Sequence, residues 1–144
     1  MELVASARRH EPAARAFADT IRADWHFDPV YCAVSAALDR DAINGAALAL
    51  QGHLPHVLDR AALTGAAAPV RDVIAWAGGL EREQRLFVGA VDDGVALFAT
   101  LWPWSESDGC TVRVGLFHDD ARAADRSAFG ALLTAWFGLG GSRG

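Results

Sequence analysis

The sequence predicts a mixed α+β domain: a mostly helical N-terminal half, a three-stranded antiparallel β-meander and a C-terminal amphipathic helix. Three observations predict it. Before Gly79, apolar residues recur at three- and four-residue spacing, the period of helical faces. After Gly79 the period changes to two and bulky β-formers take over. Of 30 alanines in the 144 residues, 21 precede Gly79, so small side chains fill one half and large ones the other.

Glu11-Pro12 puts proline at a first helical position, where its missing N–H and fixed φ are tolerated, and Ala14, Phe17, Ala18, Ile21 and Trp25 then share a face. Asp28-Pro29 repeats the signal and predicts a second helix that buries Val30, Ala33, Val34, Ala37 and Leu38. A third, capped by Asp41, runs through Ile43, Ala47 and Leu50 to Gly52. A fourth starts at Pro55 and ends near Gly65, and a fifth carries Val70, Val73, Ile74 and Ala77 from Pro69 to Gly78-Gly79. Strands are expected over 86–91, 95–102 and 110–118, with a tight turn at Asp93-Gly94 and a polar turn over 105–109. Asp119 or Asp120 caps the last helix, whose Phe129, Leu132, Leu133, Trp136 and Phe137 form a stripe ended by Gly138. A single domain over 1–144 is expected, frayed over 1–10 and 139–144.

The composition narrows the chemistry. All 13 cationic residues are arginine, which removes Schiff-base, P-loop and general-base roles that need a lysine amine. A GC-rich bacterial genome, favouring Ala, Arg and Gly codons, accounts for that bias. The net charge of −5 has no basic face to neutralise phosphates, so neither nucleic acid nor an anionic membrane is an expected partner. The first residues offer no basic and apolar leader, and no apolar run approaches the roughly 20 residues that span a bilayer. Two cysteines far apart, Cys32 and Cys110, need no disulfide in a chain of this size, which points to a reducing cytoplasm.

Alternation along the third strand sends Val112, Val114, Leu116 and His118 one way and Thr111, Arg113, Gly115 and Phe117 the other. Both faces are apolar enough to need cover. The helical half covers one, and the last helix part of the other. A portion of the second face, with Phe87, Arg113 and Phe117, is then available to a partner or a flat ligand. Trp102-Pro103-Trp104 adds two indoles on a stiff loop, residues suited to interfaces by area and by a single donor each.

Catalytic and metal constellations are weaker. Asp92, Asp93, His118 and Asp120 converge at one end of a meander and form an oxygen-rich set with one imidazole, suited to Mg²⁺, Mn²⁺ or Zn²⁺. Turn and cap duties already explain these acids. His53 and His56, separated by Pro55, fall before and inside the fourth helix. Cys32 falls in the first turn of the second helix, where the dipole lowers a thiol pKa, with His118 as base and Asp119 as its orienter. A thiol at a helix start and a histidine on a later strand resembles the layout of papain-like and NlpC-type cysteine hydrolases. The apolar residues on both sides of Cys32 favour an inert core thiol.

The expectation is a non-catalytic, cytoplasmic domain without a cofactor. It binds a protein partner or a second copy of itself through Phe87, Trp102, Trp104, Arg113 and Phe117. The alternatives are the cysteine hydrolase and a small-molecule sensor whose apolar pocket contains Arg113 or a histidine.

Overall fold

Pro12 sits at the start of a ten-residue helix, and the chain turns out of it at Ile21, whose N–H donates to Phe17 O at 2.8 Å. The structure is a computed structural model that describes residues 3–59, 84–91, 93–104, 109–118 and 122–139. In chain order its elements are α1 (Leu3–Ala7), a 3-10 turn (Arg8–His10), α2 (Glu11–Thr20), β1 (His26–Asp28), β2 (Ala33–Leu38), α3 (Arg40–His53), β3 (His56–Asp59), β4 (Arg85–Val88), β5 (Ala96–Pro103), β6 (Cys110–Phe117) and α4 (Ala123–Trp136).

The meander expected from the sequence is replaced by one six-stranded sheet of order β1-β2-β6-β5-β4-β3, antiparallel at every pairing. The three strands read after Gly79 are neighbours in it, but three more come from the half expected to be helical. The second predicted helix does not exist. Asp28 ends β1, its side chain accepts from Val30 N at 3.0 Å, and the chain reverses through Pro29–Cys32 into β2. A proline after aspartate starts turns as readily as helices. Of the fourth predicted helix, residues 56–59 are strand β3, so His53 closes α3 and His56 opens β3. The fifth lies outside the described residues. Asp39, not Asp41, caps α3 by accepting from Ala42 N at 3.1 Å. Asp125 closes the start of α4 by accepting from Arg122 N at 3.0 Å.

The described helices share one face of the sheet, which corrects the expectation that the last helix covers the other. Val34, Ala36 and Leu38 of β2, Val112, Val114 and Leu116 of β6, Leu97, Ala99 and Leu101 of β5, and Phe87 of β4 meet Phe17, Leu50, Phe129, Leu133 and Trp136 in a continuous core. Each large side chain buried there contributes about 1.5–3 kcal/mol.

The opposite face carries Ser35, Leu86, Val88, Phe98, Thr100, Arg113 and Phe117, all buried as well. Its packing is close at Gly115, where a Cβ would stand 2.7 Å from Phe98 Cζ. The N-terminal segment is pinned to the β4–β5 turn. Arg9 Nη1 and Ser6 Oγ donate to Asp93 Oδ2 at 3.0 and 3.3 Å, and a His10 ring nitrogen lies 2.9 Å from Val95 O. Among the described residues no helix is long and apolar enough to cross a membrane.

Candidate functional site

Register decides which of the residues singled out in the sequence can meet. Ser35 on β2 stands opposite Arg113 on β6, and Arg113 stands opposite Thr100 on β5, so these three form one transverse row on the second face. Trp102 lies two residues along β5 on the same face. Its ring is 5.2 Å from the Arg113 guanidinium carbon, and the Tyr31 ring, carried by the β1–β2 turn, is 4.0 Å from it. Arg113 Nη2 is 3.6 Å from Asp28 Oδ2, longer than a direct charge-assisted hydrogen bond.

Arg113 and Trp102 therefore come together as members of one cluster, and Phe117 shares their face at the far end of β6. Phe87 does not join them, because it points into the helix-covered core. Trp104 lies past the end of β5, 43% exposed, with Nε1 donating to Thr111 Oγ1 at 2.9 Å. Sequence parity placed Arg113 correctly with Thr111, Gly115 and Phe117. It missed Tyr31, Ser35 and Asp28, whose region read as helix; the Asp28 turn signal was the clue available.

The thiol candidates look different in place. Cys32 lies in the β1–β2 turn with φ of 51°, its Sγ 3.9 Å from Pro29 O, so the helix dipole invoked for it is absent. Its Cβ lies beside Gly130 of α4, whereas the His118 ring lies over Gly94 on the β5 side of β6. Asp119 lies outside the described residues. Cys110 is buried, and that burial pushes its thiol pKa up, against smaller downward effects of a hydrogen bond from the Trp102 backbone and of the Arg85 charge. In the metal set, Asp93 is engaged by Arg9 and Ser6, while Asp92 and Asp120 lie outside the described residues.

A second feature lies at the β1 edge of the sheet. Phe27 of β1, 38% exposed, leans on α4 at Gly130, where a Cβ would stand 2.8 Å from Phe27 Cε1. Beside it runs an open groove of roughly 770 Å³ lined by Phe27, Ser127, Gly130, Ala131, Thr134, Ala135 and Gly138. The lining is small and mostly apolar, and the outer edge of β1 bounds it.

Neither a family model, nor a curated protein, nor a solved structure matches this chain.

Proposed function

We propose that the chain is a non-catalytic binding domain that pairs with a second copy of itself along β1 and α4. One observation carries this reading: the open groove of α4 lies directly beside a sheet edge whose strand, among the described residues, has a neighbour on one side only. An edge strand offers unpaired backbone N–H and C=O groups to another chain. Two β1 strands related by a two-fold axis would meet antiparallel, and the same axis would set α4 against α4. Ala131 and Ala135, exposed on α4, would let those helices approach closely, with Phe27 of each copy at the seam. This moves the expected interface from the aromatic sheet face to the β1 edge, because Phe87, Arg113 and Phe117 are buried. A reducing cytoplasm suits a chain whose Cys32 and Cys110 are both free.

Light scattering coupled to size-exclusion chromatography tests it. A dimer is expected, and Ala131→Arg, which plants a charge in the groove, converts it to monomer while leaving the circular dichroism spectrum unchanged. A strict monomer, or a dimer indifferent to Ala131→Arg, overturns the proposal.

A further inference from the structure

The Arg113 row is unusual in what it leaves unpaired. Among the described residues, Ser35 Oγ, Thr100 Oγ1, Arg113 Nε and Arg113 Nη1 are buried without a hydrogen-bond partner, and all belong to three residues in register across β2, β6 and β5. Their residues are 2%, 5% and 8% exposed for Ser35, Thr100 and Arg113. Native proteins pair nearly all such groups, and exceptions mark strain or use. Asp28 does not resolve the mismatch, since it stands 3.6 Å from Nη2 alone and its other oxygen is held by Val30 N.

We infer that Arg113, Ser35 and Thr100 form a binding site for the carboxylate of a small organic acid. The chemistry follows from the donor set. A guanidinium can only donate, and two hydroxyls can each donate as well, so the complementary group is an oxyanion. The Tyr31 and Trp102 ring centres lie 4.0 and 5.2 Å from the guanidinium carbon, and Nε and Nη1 are left to be matched. A carboxylate oxygen can accept from Nη1 in a charge-assisted bond while the two hydroxyls donate to the same group. The body of the acid would pack on the same two rings, and the Pro29–Cys32 turn that carries Tyr31 would move aside to admit it. This inference is independent of the dimer, which uses the β1 edge and the helix-bearing face.

The test is thermal unfolding and tryptophan fluorescence of the full chain titrated with succinate and, separately, with inorganic phosphate, each against chloride at equal ionic strength. Succinate is expected to raise the midpoint in a concentration-dependent way. The Ser35→Ala/Thr100→Val variant, which keeps side-chain volume and removes both hydroxyls, is expected to fold and to bind succinate about tenfold more weakly or worse. Thr100→Val alone serves the same purpose with a smaller loss. No response to succinate overturns the inference, as does a response that both variants retain in full. A response to phosphate without one to succinate overturns the carboxylate assignment.

Discussion

The two faces of the sheet are nearly equally buried but are built on different terms. On the helix-covered face, Phe17, Leu50, Phe87, Phe129 and Leu133 interlock in one continuous apolar cluster. On the other, Ser35, Thr100 and Arg113 sit among Leu86, Val88, Phe98 and Phe117 with several polar atoms unmatched. The first face is organised for stability, because apolar burial is non-directional and every contact adds to the rest. The second keeps groups whose burial is unfavourable on its own, which makes it the place where removing a native side chain can help the fold.

The largest effect should come from the first face. Phe87→Ala is expected to cost about 3–5 kcal/mol in urea unfolding, because the cavity opens inside a continuous core. A loss below about 1 kcal/mol would show that Phe87 is not part of that core. On the second face, Gly115→Ala forces a methyl to within 2.7 Å of Phe98 Cζ and should cost about 1–3 kcal/mol of overpacking. Phe98→Leu in the same background should recover part of it, a coupling visible in a double-mutant cycle.

Thr100→Val tests the contrast most directly. It deletes an unpaired buried hydroxyl at constant shape and is expected to be neutral or to stabilise by up to about 1 kcal/mol. Clear destabilisation would mean that the hydroxyl has a partner in the folded protein.

The smallest effect is the pH dependence at Cys110, where burial holds the folded thiol above its unfolded value. The thiol of the folded chain therefore keeps its proton longer. Its contribution is intact below about pH 8.5 and is lost as the pH rises through the folded value. A urea midpoint followed into the alkaline range should fall, and Cys110→Ala should flatten part of that fall.

How much of this was legible depended on which side of each strand met the core. The strands after Gly79 were visible because turns at Asp93-Gly94 and around Gly109 frame long runs of β-branched and aromatic residues. Ala33–Leu38 was not: its pattern AVSAAL is buried on both faces, so the alternation that marks a half-buried strand is missing and its alanines fit a helix equally well. Losing β2 also hid Ser35 and the turn that brings Tyr31 onto Arg113. The charge on Arg113 was legible as an anomaly on an apolar face, but its neighbours across the ladder were not, since pairing between β2 and β6 leaves no local trace.

That pairing also has a consequence for how the chain reaches its native state. Val34 is joined to Val114, so the β1–β2 hairpin made early in synthesis cannot enter the sheet until β6 has left the ribosome. Until then its inner edge is bare, and the cost of closing so long a loop falls on the last step of assembly. A nascent chain halted before Cys110 would hold two unconnected pieces, β1–β2 and β3–β4–β5, with no strand between them. Emergence of β6, rather than of the N-terminal helices, sets the moment at which the sheet becomes one cooperative body.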